Sequence, residues 1–362
     1  MKRIFCFFVI LALLLSLPFP AFCYSAKALA LYEPSSKTFL ERVNSEQKLP
    51  MASTTKIMTA LVVLNSASLD DKVTVTAAAA NVEGSSMYLK AGETLTVSDL
   101  LYGLMLSSGN DAATALAIHI GGSVDGFAKL MNDKAKTLGL LNTHFTNPSG
   151  LPDERHYTTA ADLALIAAAA LDNPVFAKIV ALKQATVAGR TLVNHNKLLS
   201  MYDSAVGVKT GFTKKAGRCL VSAAKKDGVT LICVTLNAPD DWNDHIAALD
   251  SGFERVKLTP LSKVSVPLVT PDGITVLAKN RSTLYAVTVD SHTVTCKVSA
   301  ENFVYAPKSI GDKVGTVTYY VNKTVVATDD LVITKPLIIE IKKDLLISRI
   351  IKFIKNIFKK EL

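Results

Sequence analysis

The sequence predicts a mixed α/β (α+β) domain, then a domain that is all β, and an amphipathic helix at the C-terminus. Between Tyr24 and Arg255, short β-like runs alternate with alanine-rich runs of helical periodicity. After Phe253 alanine becomes scarce, and alternating apolar and polar residues are separated by Gly, Pro, Asp and Asn turns, which is typical of an all-β domain. The predicted segments are a leader at 1–23, the first domain at 24–256, the second domain at 257–336 and the C-terminal helix at 338–362.

The N-terminus has the layout of a secretory signal peptide. Lys2 and Arg3 precede an apolar run from Ile4 to Leu17, and small residues follow at Ala21 and Cys23. Cleavage is expected after Cys23. The alternative is an uncleaved membrane anchor, for which a run of about 14 residues is short. The pattern therefore predicts export.

Strand and helix patterns alternate through the first domain. The runs at 27–34 and 37–44 predict a strand pair across a Pro-Ser-Ser turn. Asp227-Gly228 is a hairpin signal between two β-like runs within 218–238. Apolar periodicity predicts helices at 53–67, 98–108, 111–122, 124–139 and 160–171.

The second domain and the C-terminus have different patterns. Alternation in the second domain predicts strands at 263–268, 274–279, 283–289 and 316–328. In 341–362, eight apolar residues between Leu346 and Phe358 fall within about 160° of a helical projection, and Lys and Arg lie on the opposite arc, with Leu345 the one misfit. A basic polar face of this kind is typical of a helix that lies in an anionic membrane interface. The alternative is an amphipathic helix packed on the protein's own body.

The net charge of +9 is concentrated at the two ends of the chain. Two of these excess charges are Lys2 and Arg3, and five come from 341–362, so only two belong to the rest. A nearly neutral body argues against a nucleic-acid-binding protein.

Ser53 and Lys56 are the first candidate catalytic pair. They are three residues apart at the start of a predicted helix, which places both side chains on one face. A serine nucleophile needs an adjacent base, and a lysine serves if burial or a second cation lowers its pKa. Ser45…Lys48 and Ser222…Lys225 share the spacing, but neither begins a long apolar-periodic helix.

Two further motifs supply complementary groups. Ser108-Gly109-Asn110 lies between two predicted helices and, taken alone, is a helix cap. Lys209-Thr210-Gly211 follows a strand-like run and, taken alone, is a turn. Together with Ser53 and Lys56 they provide a nucleophile, its base, a loop hydroxyl and amide, and a second cation. Gly211 would let a substrate backbone lie close to its strand.

In this order, Ser-x-x-Lys, Ser-x-Asn and Lys-Thr-Gly resemble the motif set of penicillin-binding proteins and class A β-lactamases. The sequence around the motifs resembles the type-5 low-molecular-mass penicillin-binding proteins, the serine-type D-alanyl-D-alanine carboxypeptidases of peptidase family S11. The likeness covers essentially the whole chain and is most specific from about 25 to 255. It implies the penicillin-binding/β-lactamase-like serine transpeptidase fold, in which helices flank an antiparallel sheet.

The resemblance implies catalytic roles for four residues. Ser53 would attack the carbonyl between the two terminal D-alanines of a peptidoglycan stem peptide and form an acyl-enzyme, and neutral Lys56 would take its proton. Ser108 and Lys209 would pass a proton to the departing D-alanine. Water would then hydrolyse the acyl-enzyme.

The resemblance also implies substrate-binding roles. Asn110 would hold the peptide amide, and Thr210 with Lys209 would receive the terminal carboxylate. The backbone N–H groups of Ser53 and Phe212 would form the oxyanion hole. Many relatives have histidine in place of Phe212, so only a backbone role transfers there.

An arginine that helps to hold the substrate carboxylate in some relatives has no counterpart at 237–245. Whether Arg218 replaces it is left open by the sequence. The six histidines are scattered, so neither a metal nor another cofactor is expected. The implied partners are a stem peptide ending in D-Ala-D-Ala, β-lactams as covalent inhibitors, and the anionic outer face of the cytoplasmic membrane.

Three alternatives remain beside the carboxypeptidase. A DD-endopeptidase would use the same groups to cut cross-links. A class A-like β-lactamase would need a deacylating glutamate, and Glu154, the only glutamate between 123 and 200, is not in a Glu-x-x-Leu-Asn context. The third alternative is a non-catalytic wall-binding protein, against which three intact motifs argue.

Overall fold

The computed structural model describes residues 24–289, 291–338 and 343–358. The signal peptide predicted at 1–23 lies outside these ranges. Within these ranges, no single helix is long and apolar enough to cross a membrane. Two consecutive helices, Ala160–Leu171 and Pro174–Val180, have sufficient length and apolar character only when taken together, and they are sharply bent relative to each other. The chain divides into two compact units between Lys257 and Leu258.

The first unit is built from helices and an antiparallel sheet. Its helices are α1 (Lys56–Ser66), α2 (Ala77–Ala80), α3 (Val97–Met105), α4 (Asn110–Gly121), α5 (Val124–Thr137), α6 (Ala160–Leu171), α7 (Pro174–Val180), α8 (Leu198–Met201) and α9 (Asp241–Arg255). Its strands are β1 (Ala28–Glu33), β2 (Thr38–Val43), β3 (Lys72–Thr74), β4 (Thr94–Thr96), β5 (Gln184–Val187), β6 (Arg190–Val193), β7 (Ala205–Thr213), β8 (Gly217–Lys226) and β9 (Val229–Leu236).

The main sheet has the order β2-β1-β9-β8-β7, and all its neighbouring strands are antiparallel. Strands β1 and β9 are buried on both faces because helices cover both. One face contributes Ala30 and Ile232 to the main core, and on the other Leu31 packs closely against Gly252 of α9. This is the predicted antiparallel sheet flanked by helices, so the prediction of the fold class is confirmed.

The hairpin between β8 and β9 turns at the predicted dipeptide. Asp227 and Gly228 both have positive φ angles, 50° and 81°, as a two-residue type I′ turn requires. Strand β7 lies at the edge of the sheet, so one side of it is not paired with another strand. An edge strand of this kind can pair with an extended peptide.

The second unit is all β up to the C-terminal helix, as predicted. The remaining strands are β10 (Val256–Pro260), β11 (Ser265–Val269), β12 (Thr275–Asn280), β13 (Tyr285–Val289), β14 (Val294–Ala300), β15 (Lys313–Val321) and β16 (Thr324–Ile333). The boundary between the two units falls within β10. Five of these strands form an antiparallel sheet of order β11-β12-β16-β15-β14. The run predicted as one strand at 316–328 is a hairpin of two strands, because Asn322 adopts a positive φ of 53° between them.

The C-terminal helix α10 spans Lys343–Phe358. Within its described side chains, Ile350, Ile351, Phe353 and Ile354 are between 46% and 68% exposed. The helix therefore presents an apolar surface to its surroundings.

Candidate active site

Ser53 lies on a tight 3₁₀ turn, Ala52–Thr55, directly before α1. Ala52 has a φ of 47°, a left-handed conformation that costs a non-glycine residue about 1–3 kcal/mol. Two side chains hold the turn: Thr54 Oγ1 donates to the carbonyl of Met51 at 2.6 Å, and Thr55 Oγ1 donates to that of Ala52 at 2.8 Å. The α-helix thus begins at Lys56, three residues later than predicted.

The amine of Lys56 is fully buried and lies among three oxygen atoms. Its Nζ is 3.0 Å from Ser53 Oγ, 2.7 Å from Asn110 Oδ1 and 2.8 Å from the carbonyl oxygen of Ser149. A neutral amine has two N–H donors and one lone pair. In the neutral form of Lys56, the two N–H groups donate to Asn110 Oδ1 and to the carbonyl oxygen of Ser149, and the lone pair can then accept the hydroxyl proton of Ser53.

The surroundings of Lys56 favour its neutral form. Burial lowers its pKa well below the usual value, the positive charge of Lys209 lowers it further, and Asp111 opposes both effects. The pair therefore has the geometry and the electrostatics of a serine nucleophile with an adjacent base.

Ser108 and Asn110 stand at the start of α4. Ser108 is buried and has a φ of 57°, the second strained non-glycine residue at the site. The side-chain amide of Asn110 is occupied at both ends, because Oδ1 accepts from Lys56 and Nδ2 donates to the carbonyl of Glu83 at 2.6 Å. Asn110 thus holds the amine of Lys56 in place. Its predicted contact with a peptide amide stays a prediction.

Asp111 was not singled out from the sequence, yet it fixes the segment next to the site. Its buried carboxylate accepts from Ser86 Oγ at 2.6 Å and from the backbone N–H groups of Met87 and Leu89 at 3.0–3.1 Å. A buried carboxylate needs such donors. The signal in the sequence was an acidic residue in the first turn of a helix directly after the Ser-x-Asn motif.

Lys209, Thr210, Gly211 and Phe212 lie on the edge strand β7. Lys209 is buried, and burial lowers its pKa to about 7. Its Nζ donates to the carbonyl of Thr210 at 3.0 Å, and no hydrogen bond joins it to Ser108 among the contacts of the described residues. A Cβ at Gly211 would come within 2.9 Å of the backbone nitrogen of Ser53, so glycine is required for this approach.

A cavity of about 350 Å³ opens beside these residues. Among the predicted site residues, it is lined by Ser53, Ser108, Thr210, Gly211 and Phe212. Lys56, Asn110 and Lys209 are buried next to it and do not line it. The structure therefore brings all three motifs to one cavity.

The cavity wall also contains residues outside the three motifs. They are Ser85, His195, Lys197, Arg218, Asp241 and Trp242. Arg218 lies opposite Phe212 across β7 and β8, and its Nε and Nη2 donate to Asp241 Oδ1 at 3.0 and 2.6 Å. Its guanidinium lies 5.4 Å from the centroid of the Trp242 ring. Two neighbours thus hold this cation in the wall.

Within the described ranges, no group of three or more His, Cys, Asp or Glu side chains is arranged to hold a metal ion. His292 and Cys296 are four residues apart, but His292 precedes β14 by two residues and Cys296 lies within the strand. Strand geometry separates side chains at this spacing.

A family model, a curated relative and two solved structures are similar to this chain. The family model of peptidase S11, described as D-alanyl-D-alanine carboxypeptidase, matches residues 20–240. The D-alanyl-D-alanine carboxypeptidase DacF of Bacillus subtilis is 34% identical over 321 residues, which is 81% of each chain. Penicillin-binding protein 5 of Haemophilus influenzae superposes with a TM-score of 0.66 at 28% identity, covering 87% of this chain and 98% of that one. The Streptomyces K15 DD-transpeptidase superposes with a TM-score of 0.62 at 36% identity, covering 64% and 98%.

Proposed function

Because the chain belongs to the peptidase S11 family of D-alanyl-D-alanine carboxypeptidases, we propose that it removes the terminal D-alanine from peptidoglycan stem pentapeptides by serine catalysis at Ser53. The observation that carries the serine mechanism is the buried Lys56 amine, 3.0 Å from Ser53 Oγ. Burial and the charge of Lys209 lower the pKa of this amine, which favours the neutral form that can accept a proton.

Acylation begins when Ser53 Oγ attacks the carbonyl carbon between the two D-alanines and its proton passes to Lys56 Nζ. The backbone N–H groups of Ser53 and Phe212 stabilise the negative oxygen of the tetrahedral intermediate. The C–N bond then breaks, and the leaving D-alanine takes a proton through Lys209 and Ser108. Lys209 suits this transfer, since its pKa of about 7 lets it hold or release a proton at neutral pH.

Deacylation transfers the acyl group from Ser53 to water. A β-lactam reacts by the same attack: its ring amide bond breaks, and the opened drug stays on Ser53 as an ester. The substrate peptide lies along the edge strand β7, which has one unpaired side, and Gly211 lets this strand lie directly against the turn that carries Ser53.

The purified protein should release one D-alanine from each pentapeptide ending in D-Ala-D-Ala, and a β-lactam that labels Ser53 should block the release. Cleavage of cross-linked dimers in preference to pentapeptides would identify an endopeptidase. Transfer of the acyl group to an added amine would identify a transpeptidase. Rapid turnover of penicillin would identify a lactamase, and stable labelling without D-alanine release would identify a binding protein.

Arg218 is proposed to receive the substrate carboxylate together with Thr210 and Lys209. Arg218→Leu is expected to raise KM for the pentapeptide about tenfold, with a smaller effect on kcat, because a charge-assisted contact made in both ground and transition states is lost. Steady-state kinetics of D-alanine release measures both constants. The matched control is Arg42→Leu, since Arg42 also combines a carboxylate partner, Glu46, with an aromatic ring, Phe39. An unchanged KM in Arg218→Leu would remove Arg218 from substrate binding.

The protein is proposed to act outside the cell, exported by 1–23 and held on the anionic outer face of the cytoplasmic membrane by 341–362. The exposed isoleucines and Phe353 of α10 support this, together with the basic residues of the same segment.

Deleting 341–362 should release the protein from vesicles that contain anionic lipid and leave D-alanine release unchanged, as sedimentation and peptide assays measure. A second variant, Ile350→Asn/Phe353→Asn, separates the apolar contribution from the electrostatic one, since it keeps every charge of the segment. It should also bind the vesicles weakly, because the apolar face of the helix no longer inserts into the membrane. A truncated protein that still sediments with vesicles would refute the anchor.

A further inference from the structure

A buried histidine connects the two segments that hold the Ser53–Lys56 pair. His156 is only 4% exposed and lies between α5 and α6. Its Nε2 is 2.8 Å from Thr55 Oγ1, in the turn that carries Ser53. Its Nδ1 accepts a hydrogen bond of 3.0 Å from the backbone N–H of Thr146.

These contacts determine the tautomer of His156. The backbone N–H of Thr146 is a donor only, so Nδ1 must carry a lone pair. The hydroxyl proton of Thr55 is already given to the carbonyl of Ala52, so Thr55 Oγ1 accepts from Nε2–H. A neutral imidazole protonated on Nε2 satisfies both partners.

The segment at 146–151, called the acceptor loop below, holds the amine of Lys56 from the other side. Asn147 Oδ1 accepts from the backbone N–H groups of Ser149, Gly150 and Leu151 at 3.2, 2.7 and 3.2 Å. The loop so formed directs the Ser149 carbonyl at Lys56 Nζ. It also touches the nucleophile turn, since a Cβ at Gly150 would lie 1.9 Å from the carbonyl oxygen of Ala52.

We propose that His156 is a positioning residue for the Ser53–Lys56 pair, fixing the nucleophile turn through Thr55 and the acceptor loop through Thr146. The spacing of the two segments keeps the Lys56 amine dry between Ser53 Oγ and the Ser149 carbonyl. His156 reaches no reacting atom and acts through its two partners. The inference rests on the proposed serine mechanism, because it concerns the base of that mechanism.

The surroundings of His156 keep it in the neutral form that both contacts need. Burial lowers its pKa to about 4, with Asp153 opposing and His144 adding to the effect. The ring of Phe145 packs edge-on at 5.7 Å between centroids. A proton on Nδ1 would face the N–H of Thr146 and break the link to the acceptor loop.

The test is His156→Phe, which keeps an aromatic ring and removes both hydrogen bonds. The rate constant of acylation by a fluorescent penicillin, measured across pH, should fall about tenfold while noncovalent binding is kept. The rise of the rate with pH should also move to higher pH by about one unit. The reason is that a loosened loop admits water to Lys56, whose low pKa depends mainly on burial. A merely structural role would lower the melting temperature and leave this pH profile in place.

Three further variants make the test specific. Thr55→Val removes the partner on the nucleophile turn and should shift the profile in the same direction. His156→Gln retains one donor and one acceptor and should recover part of the rate. His245→Phe is the matched control, since His245 is equally buried between two hydroxyls, Ser222 Oγ at 2.5 Å and Thr235 Oγ1 at 2.9 Å, on the main sheet. Its variant should lose stability without moving the profile.

The outcomes separate the two proposals. A wild-type protein that is not acylated on Ser53 would overturn the serine mechanism itself. A normally acylated wild type together with a folded His156→Phe variant of unchanged rate and profile would overturn only the role of His156. If His156→Phe does not fold, Thr55→Val decides, and an unchanged profile there overturns the inference.

Discussion

Ser53→Ala is expected to abolish both D-alanine release and covalent labelling by penicillin, with a loss of at least about 10³-fold in kcat/KM. The neighbouring hydroxyls are poor replacements, because Thr54 and Thr55 are buried and donate to the carbonyls of Met51 and Ala52. Ser53 is partly exposed, lines the cavity and lies next to the Lys56 amine. Mass spectrometry of the penicillin-treated variant measures the labelling directly.

The matched control is Ser45→Ala. Ser45 has the same Ser-x-x-Lys spacing to Lys48, but Lys48 is exposed and lies over the ring of Tyr157, 5.0 Å from its centroid. The control should therefore keep full activity. Labelling that persists in Ser53→Ala would mean that another residue is the nucleophile.

Local interactions explain why so much of this site was predictable. The contact between Ser53 and Lys56 depends on a spacing of three residues, and the hairpin at Asp227-Gly228 depends on two residues that tolerate positive φ. Helix bounds in the first unit followed the apolar periodicity to within a few residues, because each helix buries one face. The loss of alanine and the alternation after Phe253 predicted the all-β second region, and the resemblance to a family added roles for the residues of the three motifs. Both the family and the fold class are confirmed.

Interactions between distant residues explain what was missed. The oxygens that hold the amine of Lys56 belong to Asn110 and Ser149, 54 and 93 residues further along the chain. The link between Thr55 and His156 spans 101 residues, so spacing carried no signal for it. Strand β14 was missed for another reason: it is exposed along nearly its whole length, so no face requires apolar residues.

Lys56→Met should lower the rate of acylation by penicillin by at least about 10³-fold, because the variant has no group to take the proton of Ser53. Methionine fills a similar volume in the buried site. In the wild type, the rate should rise with pH as Lys56 loses its proton and reach its plateau well below pH 10.4, since the pKa of Lys56 is lowered by burial and by Lys209. The variant should show no such rise. The control is Lys48→Met, which changes an exposed lysine and should keep the wild-type profile.

The pH dependence of the free energy of unfolding gives a second, independent measure of whether the Lys56 amine is protonated in the folded protein. The unfolded chain binds a proton on Lys56 up to about pH 10.4, whereas the folded chain releases it at lower pH, so the free energy of unfolding rises with pH between the two pKa values. Lys209, with a folded pKa of about 7, adds a similar rise. Denaturant unfolding at several alkaline pH values should therefore show a smaller gain in Lys56→Met than in the wild type, but not a vanishing one. Equal gains in the two proteins would mean that Lys56 is charged in the folded state, and a charged Lys56 could not be the base that activates Ser53.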